Sequence, residues 1–279
     1  MSLHAFHPTL PAVGACAGEH LRTLRQRAGF SQLELSLIAG VSQRHLSCVE
    51  TGRAKASPSL LHALLSALDV PLDHSNAVFL AAGYAPRYVA SPLDAPALDA
   101  VQAAIDHLLQ ANNPAPAVVI ASNWDITAAN ASAGLLFTMA GVAIKAESRL
   151  NLLDTLLSPG GLGDCLINAD EIRAIAWQRA AREATSNPEL ARLLAQMPTP
   201  QARPLTASSA PAVLTRVQTE QGELRFLSTF TTFGMPLDIS VASLRIEHLI
   251  PADAGTWARM TAAYEQWSEA IAERSSWTP

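Results

Sequence analysis

Between residues 19 and 80 apolar residues recur at helical spacing in short bursts, each bounded by Gly, Ser or Pro. Leu21 and Leu24 predict a first helix that Gly29 ends. Ser31, with Glu34 three positions on, has the form of a capping box. It opens a second helix whose expected apolar stripe is Leu33, Leu37 and Ile38, and Gly40 stops it. A third helix is expected from the N-cap Ser42, with Leu46 and Val49 inward and Gly52 closing it. Pro58, tolerated in a first turn, opens a fourth carrying Leu61, Leu64, Leu65 and Leu68, and a short fifth helix is expected over 75–82.

The stretch GYAPRYVASPLDAP, with Pro86, Pro92 and Pro96, then interrupts the helical pattern and marks a domain boundary. Beyond it, 98–110 reads as a helix, and AVVIASNWDITAAN as two short strands about a turn at 122–125. Asn130 is expected to cap the next helix, and Trp124 to pack the turn. Helices are predicted over 171–184 and 188–197 from Ile172, Ile175, Leu190, Leu193, Leu194 and Met197. Segments 213–219 and 223–232, rich in β-branched and aromatic residues, flank Gln221-Gly222 as a hairpin. A further strand is expected over 238–248, with a bulge between Val241 and Leu244. Trp257, Met260, Tyr264, Trp267 and Ile271 follow a three-four spacing on a last helix, a possible dimer seam or a face packed on its own domain. The resulting division is an N-terminal arm (1–17), a helical domain (18–83), a linker (84–97), an α+β domain (98–250) and a C-terminal helix (251–279).

With 49% apolar and 15% charged residues, 279 residues suffice for two domains with separate cores. Three cysteines, Cys16, Cys48 and Cys165, lie far apart and match no metal or CxxC spacing, which fits a reduced, cytoplasmic compartment. No signal peptide and no membrane-length apolar run is expected. The net charge of −5 argues against a protein basic all over. Yet residues 18–57 hold six basic side chains (Arg22, Arg25, Arg27, Arg44, Arg53, Lys55) against three acidic ones (Glu19, Glu34, Glu50).

That local charge gives the third helix a function to test. Two helices joined by a tight turn can hold the second in the major groove of DNA, with its first turn reaching base edges. Gly40 supplies a turn residue tolerant of positive φ. Gln43, Arg44, Ser47 and Cys48 fall opposite Leu46 and Val49. Arg44 suits guanine O6 and N7, and Gln43 suits adenine N6 and N7, while Cys48 also reads as a half-buried filler. Arg25, Gln32, Ser42, His45, Arg53 and Lys55 are the expected contacts to the DNA backbone.

The run LRTLRQRAGFSQLELSLIAGVSQRHLSCVETGRAKASPSLLHALLSALDV resembles the phage-repressor-like (XRE) helix-turn-helix family, through SQ in the second helix, AGVS at the turn, the LS and E-x-GR of the third helix, and PS-x-x-LL after it. Ala56-Ser57 departs from many members. VPLDHSNAVFLAAGYAPRY, PAVVIASNWDITAANASAGLLF and GELRFLSTFTTFG resemble the MmyB-like regulators over most of residues 20–250. That resemblance implies a PAS-type half-barrel sheet flanked by helices around an apolar cavity suited to a fatty-acyl-like ligand. The fold class is then α+β: an all-α five-helix helix-turn-helix domain followed by a PAS-like α+β domain.

From the residues alone, Val118, Ile120, Leu135, Phe137, Trp177, Phe226 and Phe230 either line a pocket or pack on one another. A carboxylate ligand calls for a cation at the mouth, for which Arg173, Arg179 and His107 are the candidates. No HExxH, GxSxG or phosphate-cradling loop occurs, PGGLGD lacks dinucleotide spacing, and the eight histidines are scattered. Neither catalytic residues, nor metal, nor cofactor are therefore expected. The expected partners are double-stranded DNA, a small hydrophobic ligand and a second copy of the chain, with no membrane. The alternative is a second domain that binds a partner protein and no small ligand.

Overall fold

The computed structural model describes residues 16–142, 150–185, 187–200 and 212–275; most of the expected N-terminal arm lies outside them. The chain divides into two units. One runs to Pro92 and includes Met235–Ala242. The other comprises Leu93–Gly234 and the chain from Ser243 onward.

The first unit opens with five helices: α1 (Ala17–Arg27), α2 (Gln32–Ile38), α3 (Gln43–Glu50), α4 (Pro58–Ala67) and α5 (Leu72–Ala81). Short-range chemistry sets their starts. Ser31, Ser42 and Ser57 each accept a backbone N–H of the first turn, from Glu34, His45 and Leu60. Leu21, Leu24, Leu35, Leu46, Leu61, Leu64 and Leu65 are at most 2% exposed and form one core, each worth about 1.5–3 kcal/mol of burial. On α2 the orientation differs from expectation. Leu33, Leu37 and Ile38 are exposed, while Leu35 and Ser36 face the core. A seven-residue helix with apolar residues on several sides has no single stripe, and packing on α3 and α4 selects Leu35.

The second unit follows with α6 (Asp99–Asn112), β1 (Ala117–Ile120), β2 (Ile126–Ala129), α7 (Ala131–Met139), α8 (Leu152–Leu157), α9 (Ala169–Glu183) and α10 (Pro188–Leu194). The hairpin β3 (Leu214–Thr219) and β4 (Gly222–Thr231), then β5 (Arg245–Pro251) and α12 (Ala254–Ser275) complete it; the short α11 (Ile239–Ser243), between β4 and β5 in sequence, belongs to the first unit but for Ser243. The five strands form one sheet in the order β2-β1-β5-β4-β3, with every pairing antiparallel. Alternation along β1 and β5 gives each sheet face its own cover. Ala117, Val119 and Ile246 pack with Ile105 and Leu109 of α6. Ile120, Val217, Leu224 and Phe226 pack with residues of α7, α8, α9, α10 and α12 in the larger core.

Two local readings change in three dimensions. The stretch 238–248 is not one bulged strand: residues 239–243 form α11, because the Asp238 carboxylate accepts the N–H groups of Ser240 and Val241 at 2.8 and 3.3 Å and starts a helical turn. Within the first unit this segment is held by Ser91 N–H on the Asp238 carboxylate (3.0 Å) and by Ile239 N–H on the Val89 carbonyl (2.8 Å). Asn130 caps α7 through Ala133 N–H and does more besides. Its Oδ1 also accepts Ala117 N–H, and its Nδ2 donates to the carbonyls of Leu109 and Ala115. One buried amide thereby ties α6, β1 and α7 together.

Candidate nucleic-acid interface and ligand cavity

In the first unit, α3 is presented by a turn that only a few residues can make. Gly40 has φ +68, and the Val41 N–H closes the end of α2 on the Ser36 carbonyl at 2.9 Å. Ser42 Oγ accepts His45 N–H at 3.2 Å. The first turn that follows, Gln43, Arg44 and His45, is exposed, whereas Leu46 and Val49 are buried on the opposite side; Ser47 and Cys48 are half-buried. An exposed polar first turn on a helix locked from behind is the arrangement a major-groove reader uses.

The lock is ionic. Arg25 on α1 donates Nε and Nη2 to the two carboxylate oxygens of Glu50 on α3, at 2.6 and 3.0 Å, and Nη1 to the Phe30 carbonyl at 2.7 Å. Gln32 on α2 adds its Nε2 to Glu50 at 2.8 Å. Arg25 and Glu50 are 8% and 4% exposed. Arg25, expected at the DNA backbone, is thus turned inward, with its planar fork matched to a carboxylate of its own chain. Gln32 is half-buried and shares that carboxylate. Ser42, His45, Arg53 and Lys55 are exposed, and the Lys55 ammonium rests 4.6 Å above the Tyr84 ring.

The second unit encloses an apolar cavity of about 70 Å³ between β1, β2, β3 and β5 of the sheet and helices α7, α8 and α9. At roughly 10–15 Å³ per water-sized group, that is room for about five to seven such groups. Val118, Ile126, Ala133, Leu136, Phe137, Leu152, Leu156, Leu162, Ile172 and Leu249 line it, together with Pro116, Ala117, Thr215 and Glu247. Of the seven expected pocket residues, Val118 and Phe137 lie on its wall. Ile120 and Phe226 are wholly buried in the core, Trp177 packs against that core, Leu135 sits one position from the lining Leu136, and Phe230 is exposed.

None of the three expected head-group cations lines the cavity. His107 is exposed on α6. Arg173 donates to the Leu156 carbonyl and to Asp164, at 2.8 and 2.6 Å. Arg179 pairs with Glu183 at 3.0 Å and lies 4.0 Å from the Phe230 ring centroid. Glu183 also accepts Trp124 Nε1 and Arg245 Nη1, and the Arg245 guanidinium stacks 4.5 Å from the Trp124 ring. Arg245 Nε and Nη2 are buried with no hydrogen-bond partner among the described residues.

The charge that does face the cavity is Glu247, which sequence reasoning passed over. Its register partner on β4 is Phe230, and from the diagonal position Ser228, paired with Leu249, donates its hydroxyl to Oε1. Shielding from bulk water raises the Glu247 carboxyl above the ordinary carboxylate range; the Ser228 hydrogen bond and the charges of Arg179 and Arg245 oppose that shift. A signal was present in the sequence: Arg245, Glu247 and Leu249 alternate on one strand face, so two charges take the inward phase of an otherwise apolar strand. Among the described residues, no group of three His, Cys, Asp or Glu is placed to hold a metal, and no helix is long and apolar enough to cross a membrane.

A helical unit with an exposed reading turn, joined in one chain to an α+β unit enclosing an apolar cavity, describes a DNA-binding regulator with a ligand-binding domain. Two family models agree with that description: a helix-turn-helix domain over residues 17–77, and the MmyB-like transcription regulator ligand binding domain over residues 101–263. The chain belongs to the MmyB-like transcription regulators, a family of regulatory, DNA-binding and ligand-binding domains. No curated protein matches it.

Proposed function

We propose that this protein is a dimeric, sequence-specific transcriptional regulator of the XRE type, acting in the cytoplasm without catalysis or cofactor, whose DNA binding responds to a small hydrophobic molecule in its PAS-type second unit. The observation that carries the DNA-reading part is the exposed Gln43-Arg44-His45 turn on a helix whose other face is sealed by Leu46, Val49 and the Arg25–Glu50 pair. Arg44 and Gln43 read bases, Ser47 and Cys48 complete that face, and Ser42, His45, Arg53 and Lys55 hold the duplex backbone.

The strand order β2-β1-β5-β4-β3, with most helices over one face and α6 on the other, supports the PAS-type reading, and the apolar lining supports a hydrophobic ligand. A fatty-acyl-like chain requires this cavity to widen, since about 70 Å³ holds only a short segment of one. Trp257, Trp267 and Ile271 are exposed on α12 while Met260 packs into its own core, which leaves part of the three-four stripe for a second copy. Ligand control follows if the molecule binds one state of the protein more tightly than the other.

The test is selection of bound duplexes from a random pool at two salt concentrations, with wild type and Arg44→Ala. The expected outcome is a palindromic preference, relaxed at one position of each half-site in the variant by a discrimination of about 1–3 kcal/mol. An unchanged preference removes Arg44 from the reading face, and absence of salt-sensitive binding to any duplex ends the regulator reading.

A further inference from the structure

The cavity has a polar end whose sign is opposite to that expected for a fatty acid. Among the described residues, Glu247 brings the one charged side chain on its wall, and Thr215 the only other polar one. Ser228 serves one carboxylate oxygen, and no other hydrogen bond to this carboxylate is present among the described residues. The charges of Arg179 and Arg245 act on Glu247 and favour its ionised form, yet neither guanidinium is on the wall. Arg179 and Arg245 both bond Glu183 and stack on Phe230 and Trp124, and neither lines the cavity.

Electrostatics then discriminates between head groups. A carboxylate ligand here would set two acids side by side at a half-buried site, where ionising both is disfavoured, so its binding is linked to uptake of a proton. An alcohol or an amine needs no such step. It donates to the carboxylate oxygen that Ser228 does not serve, and its apolar body lies against Val118, Leu136 and Leu249.

We infer that the ligand of this cavity is a small amphiphile with an apolar body and a hydrogen-bond-donating end, an alcohol or an amine, seated on Glu247 and Ser228, and that a free carboxylate is disfavoured there. The inference rests on the reading of this cavity as the ligand site and specifies which chemistry it takes.

Three six-carbon probes that suit the cavity volume separate the possibilities: hexan-1-ol, hexan-1-amine and hexanoate. Each is titrated at neutral pH, and one pH unit to either side of it, into the full chain, the Glu247→Gln and Ser228→Ala variants, and a cavity-filling Ala133→Leu variant, with binding read by ligand-observed NMR. The alcohol or the amine is expected to bind about tenfold or more tighter than hexanoate, the preference that one hydrogen bond to a charged group supports. That preference shrinks in Glu247→Gln and Ser228→Ala, and Ala133→Leu weakens all three probes. An amine advantage that grows with pH identifies a cationic end, whereas an alcohol advantage insensitive to pH identifies a neutral one; both support the inference. Hexanoate binding as tightly as the donors, or an order of affinities unchanged by Glu247→Gln, overturns the head-group assignment and leaves the cavity as a ligand site. Binding of none of the probes to wild type overturns both.

Discussion

Replacing Arg25 or Glu50 separates a structural ion pair from a DNA contact. Arg25→Ala deletes three hydrogen bonds, two to Glu50 and one to the Phe30 carbonyl, and leaves a carboxylate that is 4% exposed with only Gln32 as side-chain partner. Breaking one half of such a buried pair costs about 3–5 kcal/mol. Because a typical domain is stable by only ~5–15 kcal/mol, that loss takes up much of the reserve of the first unit. In amide hydrogen exchange on the full chain, peptides from α1, α2 and α3 are expected to lose about two to four powers of ten in protection, at ~1.4 kcal/mol per tenfold. Glu50→Gln should do the same by stranding the guanidinium, whereas Arg25→Met combined with Glu50→Leu should recover most of the loss, since two apolar side chains strand no charge. If instead Arg25→Ala leaves protection in these helices unchanged and lowers the salt slope of DNA binding by about one phosphate contact, Arg25 faces the duplex and the buried-pair account is wrong.

Arg53→Ala is expected to weaken binding to all duplexes alike and to reduce the salt slope by about one, with base preference intact; a shift in preference would make it a base reader. Asn130→Ala removes a partner from Ala117 N–H and from the Leu109 carbonyl, while the Ala115 carbonyl keeps Asn112 Nδ2, so at ~1–3 kcal/mol per unsatisfied buried group it should cost at least about 2 kcal/mol in urea unfolding of the second unit. A loss below about 1 kcal/mol refutes its role as a tie. Glu247 has a folded-state pKa above its unfolded value, so between the two the folded chain keeps a proton that the unfolded chain has released, and stability falls as pH rises through that window. The groups facing it, Ser228, Arg179 and Arg245, moderate the shift. Glu247→Gln should abolish that part of the decline and gain stability relative to wild type as pH rises above about 4.5; parallel curves for the two proteins would contradict it.

What the residues determined by themselves is the local grammar. Ser31, Ser42 and Ser57 mark helix starts because a side-chain oxygen satisfies a backbone N–H two or three residues away, and Gly40 and Gly52 mark ends because positive φ costs glycine little. The β3–β4 hairpin and the inward Leu46 and Val49 follow from spacing just as short, although the turn falls at Glu220-Gln221, one residue before the expected Gln221-Gly222, and Gly222 pairs with Thr219.

Tertiary packing decided where local rules allow more than one answer. Turning α2 by about two residues, roughly to its opposite side, exchanges Leu33 and Leu37 for Leu35, and one residue on α7 exchanges Leu135 for Leu136, because each residue turns a helix by about 100°. Arg25 is as able to meet a phosphate as a carboxylate, and only the arrival of Glu50, 25 residues later, selects the ion pair. The sign of the cavity's polar end was hidden for the same reason. A strand's alternation says which side chains point inward, but whether Glu247 meets a cation, water or an apolar enclosure depends on helices distant in sequence.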